Sequence, residues 1–144
     1  MKVVEILKLK GSSEVETISP DASVSEAAKR LAEKRIGALV VTRGDELVGI
    51  LSERDIVRAL GRSGSGCLTM AVGELMTAPV ETCTPEDSAD AILGRMTEGR
   101  FRHMPVVEDG RMIGLISIGD VVKARIAEIE QENRAMASML SGSI

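Results

Sequence analysis

Gly49-Ile50-Leu51-Ser52-Glu53-Arg54-Asp55 recurs 65 residues on as Gly114-Leu115-Ile116-Ser117-Ile118-Gly119-Asp120. The same offset carries Pro20 onto Pro85, Ser23 onto Ser88, Arg30 onto Arg95 and Glu33 onto Glu98, with no gap between positions 15–58 and 80–123. A register held across about 44 positions means two copies of one small unit. Each copy ends a strand with Ser-x-x-Asp at the mouth of a helix. Two such units set face to face create related clefts, and concave sites between packed units are where ligands bind.

The unit reads as strand, helix, strand, strand, helix. Ser23 with Glu26 forms a capping-box pattern, and Val24, Ala27, Ala28 and Leu31 recur at helical spacing, with Gly37 as the stop. Residues 38–41 and 47–51 read as strands joined by a hairpin turn at Arg43-Gly44-Asp45-Glu46, and 52–60 as a helix closed by Gly61. In the second copy Ser88 opens a helix with face Ala89, Ile92, Leu93 and Met96, ending near Gly99. Residues 104–107 and 112–116 pair through Asp109-Gly110, and a helix follows from Asp120. Alternation at 15–18 and 80–83 predicts an opening strand in each copy. The fold class is mixed α/β (α+β): two pseudo-symmetric units and an extended C-terminal helix.

Residues 1–61 are assigned to the first domain, 62–71 to a linker, 72–127 to the second domain and 128–144 to a helical extension. The Gly-Arg-Ser-Gly-Ser-Gly run at 61–66 reads as a flexible connector. An insertion at 8–13 breaks the register: Leu7 lies eight residues before Val15, whereas Met76 lies four before Val80. In the tail, Val122, Ile126, Ile129, Asn133, Met136 and Leu140 are spaced as a seam with Asn133 at an a-type position. That stripe either pairs between chains or packs on the protein's own body, and spacing does not decide between them.

A chain of 144 residues buries roughly 70% of its unfolded surface, whereas one 65-residue unit would be marginal, so the copies are expected to fold against each other. Phe101 is the only aromatic, which leaves the core to aliphatic residues and methionine and excludes an aromatic platform for single-stranded nucleic acid. A net charge of −4 gives no electrostatic case for nucleic acid. No stretch is apolar enough for a signal peptide or a membrane span. Cys67 and Cys83 read as free thiols of a reducing compartment, with the cytoplasm as the expected location.

These residues together resemble the CBS (cystathionine-β-synthase-type) domain, and the pair resembles a Bateman module. The resemblance rests on Thr17-Ile18-Ser19-Pro20-Asp21, Ile36-Gly37-Ala38-Leu39-Val40-Val41 and 49–55 in the first copy. In the second it rests on Val72-Gly73-Glu74-Leu75-Met76-Thr77, Phe101-Arg102-His103-Met104-Pro105-Val106-Val107 and 114–120. It implies an adenine nucleotide (AMP, ADP, ATP or NADH) or a related adenosyl ligand bound between the copies. It also implies a sensing role, a homodimer and an effector protein that the sequence does not identify.

Carried over by position, Ser52 with Asp55 and Ser117 with Asp120 are implied ribose and phosphate contacts. A carboxylate can accept both ribose hydroxyls, and the free amides of a helix start suit an anion. The resemblance places Thr17, Ile18, Ser19 and Thr82, Cys83, Thr84 at the adenine edge. Ile36 and Ala38 are placed against the base and Arg102 and His103 toward the phosphate, with Gly37 and Pro105 also in the implied nucleotide site; Arg54 adds a guanidinium fork that suits phosphate. Ile118-Gly119 stands where the first copy has Glu53-Arg54, and Gly37-Ala38 stands where the second has Arg102-His103. The clefts are therefore expected to differ, with one competent; which one stays open.

Ser52-Glu53-Arg54-Asp55 is also an ordinary helix cap, and both readings can hold at once. The groups Arg58/Arg62 and Arg100/Arg102 read as solvated faces unless a phosphate lies beside them. His103 has no metal-ligand partner at suitable spacing, the two cysteines sit in no nucleophile motif, and the eight methionines read as core filler. No general base, nucleophile or metal set is legible, so a catalytic role, a catalytic cofactor and a metal are not expected. The alternative to sensing is a dimerisation or protein-interaction module with vestigial clefts.

Overall fold

The computed structural model describes residues 1–11 and 15–142. In chain order the first half comprises α1 (Val3–Lys10), β1 (Thr17–Ile18), α2 (Val24–Lys34), β2 (Ala38–Arg43), β3 (Glu46–Ser52) and α3 (Glu53–Ser63). A 3-10 helix (Gly64–Thr69) and α4 (Val72–Leu75) lead to α5 (Ala89–Gly99), β4 (His103–Glu108), β5 (Arg111–Ser117) and α6 (Ile118–Leu140). The two copies therefore share one architecture, and the long C-terminal helix is present.

Local chemistry explains the element ends. Ser23 Oγ accepts from the Glu26 N–H at 3.1 Å and Ser88 Oγ from the Ala91 N–H at 3.1 Å, capping α2 and α5. Neither helix stops at a glycine outside it. Arg35 (φ 55°) and Arg100 (φ 57°) take the left-handed conformation that turns the chain toward the next strand. That moves the first stop to two residues before Gly37. The connector expected at 61–66 is not extended: α3 runs through Gly61 to Ser63, and the 3-10 helix buries Cys67 completely.

In the first copy β1 pairs parallel with β2, and β2 pairs antiparallel with β3. In the second, β4 and β5 form the equivalent hairpin, but the strand expected at 80–83 shrinks to one bridge, Cys83 with Val106. The cause is a proline. Val40 N–H donates to Glu16 O at 3.1 Å, and Pro105, 65 residues on, has no N–H to give Glu81.

Two aliphatic cores form, and each recruits the leading helix of the other copy. Val3 and Ile6 of α1 are buried with Ile92, Met96, Met104, Val106 and Ile116, whereas Val72 of α4 is buried with Val24, Leu31, Leu39, Val41 and Leu51. Backbone bonds seal the exchange: Val3 N–H to Asp87 O at 2.8 Å, Ala89 N–H to Met1 O at 2.8 Å, Val72 N–H to Ala22 O at 2.8 Å and Gly73 N–H to Pro20 O at 2.8 Å. The copies are thus clasped, as the marginal size of one unit requires. Met96 and Met104 fill core positions, but Met136 and Met139 are exposed. The tail stripe does not pack on the protein's own body: Ile126 is 51% and Leu140 86% exposed.

Candidate functional site

Two clefts lie between the copies, related by the same exchange that relates the sequences. The first, about 360 Å³, is lined by Ser52, Glu53, Arg54, Asp55 and Arg58 from the start of α3 and by Arg100, Phe101, Arg102 and His103 from the approach to β4. Thr77, Pro79, Val80 and Glu81 from the segment after α4 line it too, and Gly37, Ile50, Gly99, Ser117 and Ile118 complete it. The second, about 440 Å³, is lined by Lys10, Val15, Glu16, Arg35, Ile36, Gly37, Ala38, His103, Leu115 and Ser117. Gly37, His103 and Ser117 belong to both walls.

The Ser-x-x-Asp pairs are capping boxes in both copies. Ser52 N–H donates to Asp55 Oδ2 at 2.9 Å, Ser52 Oγ–H donates to the same oxygen at 3.0 Å, and Asp55 N–H donates to Ser52 Oγ at 3.2 Å. Ser117 N–H donates to Asp120 Oδ2 at 2.9 Å and Asp120 N–H to Ser117 Oγ at 3.1 Å. The box fixes each carboxylate at a helix start. In the first cleft Asp55 then keeps Oδ1 turned toward Thr77, whose Oγ1–H donates at 3.4 Å. That long contact leaves acceptor capacity for a ligand hydroxyl.

The wall opposite comes from the second copy. Ile118 N–H donates to Arg102 O at 2.8 Å and Glu53 N–H to Gly37 O at 3.0 Å, so each helix start is tied to the strand approach of its own copy. Burial holds the His103 imidazole below its ordinary pKa, with Lys10 adding to the effect. It therefore stays neutral over a wider range. Four guanidinium groups face the first cleft against three carboxylates, and Arg95 holds one of those, Glu81, at 2.7 Å from outside. Among the described residues, none of Arg54, Arg58, Arg100 and Arg102 is drawn into an ion pair. They are free to meet an anion.

In the second cleft Lys10 Nζ lies 3.0 Å from Asp120 Oδ2. Desolvation would raise the Asp120 pKa, but the Ser117 N–H and the Lys10 ammonium together hold it below the ordinary carboxylate value.

Of the residues singled out from the sequence, the first cleft gathers Gly37, Ser52, Arg54, Asp55, Arg102, His103 and Ser117. The second gathers Ile36, Gly37, Ala38, His103 and Ser117. Thr17, Ile18, Ser19, Thr82, Cys83, Thr84 and Pro105 line neither, and Asp120 is screened by Lys10. The opening segments present Val15-Glu16 and Val80-Glu81 instead, the same short displacement in each copy. Burial pushes the Cys83 thiol up to about 12, so it carries no thiolate chemistry near neutrality. Arg58 and Arg100 also reach the first cleft, whereas Arg62 lies in a separate shallow pocket beside Cys67. Among the described residues no cluster could hold a metal ion, and no helix is long and apolar enough to cross a membrane.

The CBS domain family matches this chain twice, at residues 5–62 and 72–127. A mitochondrial CBS domain-containing protein of Arabidopsis thaliana, CBSX3, is 34% identical over 97% of this chain and 72% of its own length. The solved CBS-domain protein ATU1752 of Agrobacterium tumefaciens is 45% identical with a TM-score of 0.84, over 87% of this chain and 99% of that one. PAE2072 of Pyrobaculum aerophilum, solved in complex with AMP, is 27% identical with a TM-score of 0.72, over 83% of this chain and 89% of that one. With the duplicated unit, the clasped cores and the paired clefts, these matches place the chain in the CBS domain family as a tandem pair.

Proposed function

We propose that the chain is a regulatory module that binds an adenosine-containing ligand in the first cleft and passes the resulting change to an effector protein. One observation carries the reading. Asp55 and Ser52 of one copy line the same cleft as Arg102 and His103 of the other, together with Arg54, Arg58 and Arg100. A carboxylate with spare acceptor capacity suits a ribose diol, and guanidinium forks suit phosphate. At about 360 Å³ the cleft falls at the small end of ligand sites, the scale of a mononucleotide. The AMP complex of PAE2072 supports the ligand class.

Binding, not catalysis, is the role, and the effect of the ligand is population shift between arrangements of the clasped copies. The two buried free cysteines agree with a reducing compartment such as the cytoplasm. A thermal-shift panel of AMP, ADP, ATP, NADH and S-adenosylmethionine tests the reading. Occupancy at a hundredfold excess over Kd stabilises the fold by about 2.7 kcal/mol. No shift with any of them at millimolar concentration defeats it.

The exposed stripe of α6 favours one companion reading: a homodimer in which this helix pairs with that of a second copy. Asn133 sits within the stripe at the position where asparagine fixes register in two-stranded coils.

A further inference from the structure

The copies differ most where the sequence register breaks. Leu7 and Met76 do the same job: a Cβ on Gly114 would meet Leu7 Cδ2 at 2.8 Å, and one on Gly49 would collide with Met76. Each is the apolar foot of its leading helix on the equivalent strand glycine. After that foot the chain reaches Val80 in four residues but Val15 in eight. The extra length extends α1 by a turn and delivers Lys10.

What Lys10 does there follows from comparing the two clefts atom by atom. In the first, Thr77 N–H donates to Ile50 O at 2.8 Å and Thr77 Oγ1–H to Asp55 Oδ1 at 3.4 Å. In the second, Lys10 Nζ donates to Leu115 O at 2.7 Å and lies 3.0 Å from Asp120 Oδ2. Leu115 and Asp120 are the counterparts of Ile50 and Asp55. One ammonium thus takes the place of the Thr77 amide on the strand carbonyl and brings a full charge to the carboxylate, at Oδ2, the oxygen that also closes the cap, where Thr77 reaches Oδ1 of Asp55. Asp55 is on the wall of the first cleft; on the second it is Lys10, and not Asp120, that forms the wall.

We infer that Lys10 sets the number of adenosine ligands the module takes: its ammonium holds Asp120 where a ribose would have to bind, leaving one competent cleft. The inference rests on the ligand class proposed above. A ribose diol and the ammonium both make charge-assisted bonds to a carboxylate, but the ammonium adds a full opposite charge at 3.0 Å, so the diol does not displace it. Arg35 and His103 on the same wall add cationic and neutral groups but no second carboxylate to receive a ribose; Glu16 is engaged with Arg30 and Lys34.

Isothermal titration of the full chain with AMP, comparing wild type, Lys10→Ala and Lys10→Ala/Asp55→Ala, is the test. The expected stoichiometries are one, two and one. Two sites in wild type, or one in both wild type and Lys10→Ala, overturns the inference. No binding to wild type with one site in Lys10→Ala upholds the role of Lys10 and defeats the first-cleft reading. No binding to either overturns both. Lys10→Gln, which keeps the stem and removes the charge, is expected to match Lys10→Ala; behaviour like wild type would assign the effect to bulk and overturn the charge argument.

Discussion

The imidazole of His103 rests on the backbone of Gly37 so closely that a Cβ at position 37 would lie 3.2 Å from both its Cε1 and its Nε2. The two residues come from different copies, and both belong to the walls of both clefts. Gly37→Ala is therefore expected to push the ring by a few tenths of an ångström at a cost of about 1 kcal/mol. Denaturant unfolding of Gly37→Ala, His103→Ala and the double variant checks this. The alanine at 37 should cost less when the ring is absent, and equal costs would show that the ring is not what it meets.

His103 also carries a pH dependence. Its folded pKa lies below the ordinary value of 6.5, chiefly through burial and then through Lys10, while Asp120 and Glu53 pull the other way and Arg102 adds slightly to the lowering. The unfolded chain then binds more protons than the fold, so stability rises with pH through this window. The contribution is complete above about 6.5 and is lost as pH falls through the folded value. Stability curves from pH 7.5 to 5 should slope for wild type and flatten for His103→Gln; parallel curves would contradict the assignment.

Asp55 closes the cap of α3 and is the ribose contact proposed above, and two measurements separate the two roles. Through the cap, Asp55→Ala should cost about 0.5–2 kcal/mol of stability. As a ligand contact it should also lose about 1.5–3 kcal/mol of binding, roughly ten- to a hundredfold in Kd. Ser23→Ala removes a cap of the same copy away from the clefts, and is expected to lower stability while leaving affinity unchanged. Unchanged affinity in Asp55→Ala would refute the ribose contact.

The Lys10–Asp120 pair predicts a shift in acid titration. Asp120 is held below the ordinary carboxylate range partly by Lys10, so its stabilising effect is present above that range and is lost as pH falls through the folded value. Carboxyl-carbon NMR should find the Asp120 midpoint higher in Lys10→Ala than in wild type. An unmoved midpoint would mean that the ammonium does not sit there in solution.

Much of the fold was legible because repetition is a global signal. The 65-residue offset fixed the pairing of α2 with α5 and of hairpin with hairpin, and the Ser-x-x-Asp boxes marked two helix starts. The illegible parts turn on contacts that local pattern does not encode. The alternation at 80–83 reads as a strand, but Pro105 denies Glu81 its ladder bond. The glycines at 61–66 suggest looseness, yet Cys67 is anchored in the interior and winds them into helix.

The site shows the same division. Asp55, Arg54, Arg102 and His103, picked by position along the motif, line one cleft because they sit at element starts that the repeat defines. Position along the motif missed Val80 and Glu81, since which end of a short segment faces a cleft depends on how the copies tilt together. It missed Lys10 as well, although the signal was in view: Lys10 lies in the register break, where the copies have no equivalent positions.

An adenosine ligand seated between Asp55 and the Arg102-His103 pair would leave its mark on the amides around it. Amide chemical-shift mapping with AMP added in excess should therefore find shifts confined to the first cleft, at Ser52 to Asp55, Thr77, Val80 and 100–103, with Asp120 and Ile36 little changed. An unaltered spectrum at millimolar AMP, ADP, ATP, NADH and S-adenosylmethionine, or shifts gathered at Lys10 and Leu115 instead, would contradict it.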